Sequence, residues 1–308
     1  MSVSIDLALL LFKLQSAVDT PATPDPTVDA LLIGQPDFAT DIQQIERDVV
    51  GASLSPQPTR NGRIEASVSF PYDVIGAGVT DGSTAPAYDA LLRACGMART
   101  SITTPGLIQS HARSGNTGST TFAQSGSGYT LDIVRYVTLE CTVAGGSGTA
   151  QFTVTAPATV DNTNSAVAAV NLAAAVMTDA TAFAVGHGAE VTPTFVSNAA
   201  VGDKYVLQLG PEGHLYTPVS SNFEVGSCWL YFDGIRHVSN NMRGSFSLEA
   251  AAGNIAQFTF NMQGDFAAPT DQSIPTNAVY SDLIPPQVEL ADLRLDNASV
   301  ACPANFGF

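Results

Sequence analysis

Between residues 255 and 263 the chain alternates without a break: Ala256, Phe258, Phe260 and Met262 are apolar, while Gln257, Thr259, Asn261 and Gln263 are polar. A period of two cannot gather its apolar residues on one side of a helix, so this segment must be a strand with one face in a core. Three more segments repeat the scheme. Over residues 242–250, Arg243, Ser245, Ser247 and Glu249 alternate with Met242, Phe246 and Leu248. Over residues 63–70, Arg63, Glu65, Ser67 and Ser69 alternate with Ile64, Ala66, Val68 and Phe70, and Gln44, Glu46 and Asp48 form a shorter polar phase. Any half-exposed antiparallel sheet shows such alternation. Four such strands nonetheless predict a mainly β chain with one smooth, weakly acidic face.

Turn chemistry joins these strands into long hairpins. Asp233-Gly234 between two β-prone arms (residues 229–238) predicts a tight turn, and residues 251–254 close a second hairpin. Asn61-Gly62 follows a Pro-rich loop over residues 55–59, giving a hairpin with a projecting tip. Residues 84–95 predict the one clear helix, with Thr84 as its cap, Pro86 in its first turn and Gly96 at its end. The apolar run over residues 5–14 holds Asp6 and Lys13 and has no basic leader pattern, so it reads as core. The three prolines of residues 19–26 mark an extended linker. Residues 110–128 are rich in Ser, Thr and Gly and read as a loop or irregular edge. Residues 273–286 are a Pro-rich connector before a last strand at 287–295.

Composition changes at residue 136. Up to 210, Gly, Ala, Thr and Val dominate, which predicts a small inserted β-rich subdomain. Residues 151–155 and 204–209 are its clearest strands, 165–177 are helix or strand, and 181–195 are strand-like. The domain reading is therefore 1–135 and 211–308 as two parts of one core, with 136–210 inserted.

Charge narrows the function. Twelve Lys and Arg against 28 Asp and Glu give a net charge of −16. Scattered cations cannot neutralise a run of phosphates, so tight nucleic-acid binding is not expected. Cys95, Cys141, Cys228 and Cys302 are far apart and read as free buried thiols. His111, His187, His214 and His237 sit in dissimilar contexts, and no nucleophile elbow, phosphate loop or metal-ligand spacing is present. Neither an enzyme nor a cofactor is expected. No run approaches the length of an apolar membrane span.

Taken together, several segments resemble the major tail tube proteins of long-tailed, non-contractile bacteriophages. In the first half these are Glu46-Arg47-Asp48, the strand at 64–70, Gly82-Ser83-Thr84-Ala85-Pro86-Ala87-Tyr88 and Leu91-Leu92-Arg93-Ala94-Cys95-Gly96. In the second half they are Tyr216-Thr217-Pro218, the hairpin at 230–237, Arg243-Gly244-Ser245-Phe246-Ser247 and residues 264–271. The order and spacing carry the resemblance, and residues 136–209 depart from it.

The resemblance implies a tail-tube-type β-sandwich or barrel with one flanking helix. Six-fold or pseudo-six-fold rings of it would stack into a tube in the virion tail, assembled in the host cytoplasm. The polar phases listed above would face the lumen, where a tape-measure protein and then DNA pass without tight binding. Ser53, Leu54, Ser55, Gln57, Thr59 and Arg60 would touch the next ring. Further partners would be tail terminator and tail tip or baseplate proteins, with the insertion on the tube exterior. Two other readings suit the composition: a terminator or baseplate protein that forms a single ring, and a carbohydrate-binding adhesin module. The second is weakened by the single Trp229.

Overall fold

The structure, a computed structural model, describes residues 8–45, 60–79, 82–126, 128–161, 165–232 and 234–288. The chain is mainly β, with several antiparallel sheets and one short helix. Its first elements are β1 (Ala8–Leu14), β2 (Ala30–Leu31), β3 (Asp37–Ile45), β4 (Arg60–Asp73), α1 (Asp89–Ala94) and β5 (Met97–Ile102). Ten strands follow before the chain returns. They are β6 (Gly106–Ala112), β7 (Thr120–Ser125), β8 (Arg135–Val143), β9 (Gln151–Ala156), β10 (Thr159–Val160), β11 (Ala166–Val167), β12 (Val170–Val176), β13 (Phe183–Gly186), β14 (Ala189–Phe195) and β15 (Lys204–Gly210). The last are β16 (Gly213–Pro218), β17 (Gly226–Phe232), β18 (Ile235–Glu249) and β19 (Gln257–Asp271).

The N- and C-terminal parts share a seven-stranded sheet in the order β2-β1-β17-β18-β19-β4-β3. β1 is buried on both faces, which explains its unbroken apolar run. Leu10 and Phe12 join the main core with Val68, Phe70, Phe258, Phe260 and Met262, and α1 packs Leu91 and Leu92 into the same cluster. Leu9 and Leu11 face the other way, where Tyr231, Ile274 and Tyr280 cover them. Both expected hairpins form. Phe232 pairs with Ile235, with Gly234 at φ +83°, and Glu249 pairs with Gln257. Asp233 lies outside the described residues.

Three expectations need correction. The helix begins at Asp89, not at Thr84, and Thr84 does not cap it. The Thr84 carbonyl instead accepts a bond from His214 Nε2 at 2.8 Å. Gly82, at φ +62°, lies so close to the β5/β16 ribbon that a Cβ there would fall 1.9 Å from the Ile102 carbonyl oxygen. Residues 82–85 are thus held at the ribbon, and the chain turns only from Pro86, whose carbonyl accepts from the Asp89 N–H at 2.9 Å. Next, the strand expected around Gln44 to Asp48 is β3, which starts at Asp37; Glu46 and Asp48 lie outside the described residues.

The third correction is the second unit's boundary. Its five-stranded sheet runs β12-β9-β8-β15-β6, and a three-stranded sheet runs β13-β14-β7. β6 pairs with β15, and β7 with β14, so strands before residue 136 belong to it. The inner faces share one core, including Phe122, Leu139, Phe152, Val185, Val191 and Tyr205. The unit therefore spans 106–210. Asp203 staples its loops: the carboxylate accepts from the backbone N–H groups of Thr117, Gly118 and Ala200, each at 2.8 Å. The Ala-rich stretch is strand, because β12 pairs with β9. The last strand expected at 287–295 lies mostly outside the described residues; Gln287 makes an isolated bridge to Ile255, and its side chain donates to the Gly253 carbonyl at 2.6 Å.

The chain enters this unit after β5 and leaves it before β16, and those two strands pair with each other. α1 holds that ribbon through Asp89. Its carboxylate accepts from the Tyr216 hydroxyl at 2.8 Å, from Arg99 at 3.0 Å and from Arg93 at 3.4 Å.

Candidate functional site

The four strands singled out by alternation are neighbours, consecutive in the order β18-β19-β4-β3. Residues directly opposite in an antiparallel ladder share a face, so the pairing aligns the polar phases in rows. Ser245 lies opposite Asn261, which faces Ser69 and then Asp37. Arg243, Gln263, Ser67 and Ala39 make the next row, and Asp265, Glu65 and Asp41 the one after it. In the other direction Ser247, Thr259 and Pro71 align, followed by Glu249, Gln257 and Asp73. Arg63, Arg243, Ser67, Ser245, Ser247, Glu249, Gln257, Asn261 and Gln263 are exposed, while Glu65, Ser69 and Thr259 are half-buried. Their strand neighbours Val68, Phe70, Phe258, Phe260 and Met262 are the buried core.

Gln44, expected on this face, falls on its other side. Asp37, Ala39 and Asp41 are in register with the polar residues of β4, which puts the even-numbered Gln44 with Phe38 and Ile42. The irregularity between Ile42 and Gln44 adds its extra residue to β4, so β3 keeps its alternation: a Cβ on Gly62 would meet Gln43 and Ile45, and Gln44 pairs with Asn61 on the opposite side. Of the contact candidates, Arg60 is exposed at the start of β4 opposite Ile45. Ser53, Leu54, Ser55, Gln57 and Thr59 lie outside the described residues.

Side-chain bonds run across the rows. Ser69 Oγ donates to Asn261 Oδ1 at 2.8 Å, and Gln257 Nε2 to Asp73 Oδ1 at 3.0 Å. Gln263 Nε2 donates to Glu65. Arg63 bonds Asp265 Oδ1 through Nε at 3.1 Å and Nη2 at 2.6 Å, and reaches Glu65 at 3.0 Å. Asn241 Nδ2 donates to Asp265 Oδ2 and to Asp19 Oδ1, both at 2.7 Å, tying the N-terminal linker to the end of the face. Together Asn241 and Arg63 hold the Asp265 carboxyl below the ordinary carboxylate range. Arg243 stacks over Phe223 at 5.9 Å.

The described face carries Asp37, Asp41, Glu65, Asp73, Glu249 and Asp265 against Arg63 and Arg243, six negative charges against two positive. Half of its cationic capacity is spent within the face, since Arg63 is paired with carboxylates, and Arg243 lies over Phe223. It presents hydroxyls, amides and carboxylates with few free donors of positive charge. Asp37, Asp41, Asp73 and Asp265 were not picked out by the alternation. Two of them are its simple continuation, Asp73 in the series of β4 and Asp265 in that of β19; Asp37 and Asp41 belong to the other phase of β3 from the one singled out.

At the far side of the sheet β3 turns back over the apolar face, where Phe38 meets His237 with ring centroids 4.6 Å apart. Burial lowers the His237 pKa below its ordinary value, favouring the neutral ring. Among the described residues β3 has β4 on one side and no strand on the other. Ile42 and Ile45 are about half exposed along it, at 46% and 50%. It is an open edge.

Elsewhere the histidines serve separate contacts. His187 Nε2 lies 2.6 Å from Arg135, and His214 bridges Thr84 and Ser101. Among the described residues no three His, Cys, Asp or Glu side chains converge as metal ligands, and no helix is long and apolar enough to cross a membrane. The thiols of Cys141 and Cys228 are buried, and that of Cys95 is half-buried 3.6 Å from Met262 Sδ. Compared with known proteins, the chain matches no family model, and no curated protein matches it.

Proposed function

We propose that this chain is a structural subunit of a phage tail tube, assembling through its sheet edges into rings that stack around a DNA conduit. The observation that carries the reading is the contiguity of β18, β19, β4 and β3. They form one continuous polar, net acidic face that ends at the unpaired edge β3. Pairing such edges between neighbours removes an aggregation hazard and closes a barrel wall. A wall of this composition repels a polyanion weakly and leaves it hydrated and mobile. On this reading the tape-measure protein and then DNA contact the rows of Ser, Asn, Gln and Glu, the protein resides in the virion tail, and the step it performs is passage rather than bond chemistry.

Negative-stain electron microscopy of the purified chain at high concentration tests the proposal. Stacked hollow tubes with a central channel are expected. Single unstacked rings would replace it with a tail terminator or baseplate ring. Failure to form rings or tubes, both alone and with added tail-tip complexes as nuclei, would overturn it.

A further inference from the structure

The second unit has an open edge of its own, and it differs from β3 in chemistry. Among the described residues β12 ends the five-stranded sheet, paired with β9 on one side only. Val170 is buried and the six residues after it are exposed. Leu172 and Ala175 lie opposite Val154 and Phe152, both fully buried, so they point to the core side. Leu172 is nevertheless 38% exposed. The rim of the sandwich core is therefore uncovered beneath β12. No charged residue occurs from 162 to 178, and β12 contains neither the lysine nor the proline that commonly blunts an edge.

The opposite edge of the same sheet is partly occupied. At β6 the Gln124 side chain accepts from the Leu107 N–H and donates to the Pro105 carbonyl at 3.0 Å and the Gly126 carbonyl at 2.7 Å. A head-to-tail sheet of these units, β12 onto β6, would have to displace that side chain, which makes a copy of β12 itself the simpler partner. In a chain of net charge −16 most contacts between copies bring carboxylates together. A strand without charge is the place where like can meet like without repulsion.

We propose that β12 is an interface for a second copy of this chain, the two β12 strands pairing antiparallel about a two-fold axis. Two five-stranded sheets then become one, and the exposed Leu172 and Val176 side chains of each copy are covered by the other.

Cysteine scanning of the full-length chain tests this. Leu172→Cys, Ala173→Cys, Ala174→Cys and Ala175→Cys are each oxidised and run on a non-reducing gel, beside Thr194→Cys on the exposed face of β14 and the parent chain as controls. A two-fold pairing brings one residue onto the axis opposite itself. The covalent dimer is therefore expected to peak at one position, several-fold above the Thr194→Cys control, and to fall away on both sides. Adding Asn171→Lys or Val176→Lys to the responding variant is expected to suppress it. Equal yields at every position and in the control would overturn the proposal, as would a dimer formed instead with an Ile42→Cys variant of β3. The cross-link is read whether or not the chain forms tubes, so its failure and failure of the tube reading are separate results.

Discussion

The seven-stranded sheet and the sandwich of residues 106–210 solve the same problem with opposite surfaces. The first separates charge strictly by face. Phe70, Phe260 and Met262 are buried on one side, while Glu65, Asp265 and Arg63 bond one another in water on the other. The second carries few charges on its strands, with Lys204 on β15 paired to Glu140 on β8, fixes its loops through the three backbone N–H groups that Asp203 holds, and leaves a whole edge strand uncharged. The difference teaches what each surface is suited to meet. A face of fixed, mutually satisfied polar groups suits something that passes, and an uncharged open edge suits something that stays.

If the two are separate folding units, each should have its own unfolding transition, and deleting a core ring in one should leave the other in place. Phe152 and Phe260 are both fully buried, one in each core. Phe152→Ala and Phe260→Ala should each cost about 3–5 kcal/mol, and in differential scanning calorimetry each should lower one transition only. A single transition lowered alike by both would break the comparison.

Asp203 sharpens it further. Burial pushes its pKa up, and the N–H groups of Ala200, Thr117 and Gly118 outweigh burial, so the carboxyl titrates below its usual range. Asp203→Ala leaves those buried donors without their acceptor, at about 2–4 kcal/mol, and urea denaturation should register the loss in the sandwich alone. The folded pKa is depressed, so this contribution is present above the unfolded value, about pH 4, and fades as pH falls through the folded one. In Asp203→Ala the acid sensitivity of that transition should shrink.

What was legible in the sequence follows the same division. The strands β4, β18 and β19 could be read because a period of two persists for many residues, and that period also predicted which side chains are buried. β3 was placed several residues late because it is exposed at nearly every position and alternates weakly, with Thr40 and Gln44 in the phase of Phe38 and Ile42. The start of the sandwich was missed for a different reason. β6 and β7 are rich in Ser, Thr and Gln and alternate poorly, and they become strands by pairing with β15 and β14, far along the chain. Local composition carries no sign of such partners. The helix start failed on tertiary override: Thr84 has the chemistry of a cap, and His214 and Ile102 hold its neighbourhood in another conformation.

The smallest effect tests the polar face most directly, because two adjacent residues of β4 lie on opposite sides of it. Phe70 is buried in the core cluster, whereas Ser69 makes one bond to Asn261 on a surface open to water. In the unfolded chain water satisfies both groups of that bond, so Ser69→Ala should change stability by no more than about 0.5 kcal/mol. Phe70→Ala, one residue on, should cost about 3–5 kcal/mol. Chemical denaturation of the two variants gives the contrast. Near-neutral Ser69→Ala means the rows of Ser, Asn and Gln are not what holds the subunit together, as the proposed lumen requires. A Ser69→Ala cost approaching that of Phe70→Ala would mean this face is internal to the subunit, and no lumen could be lined by it.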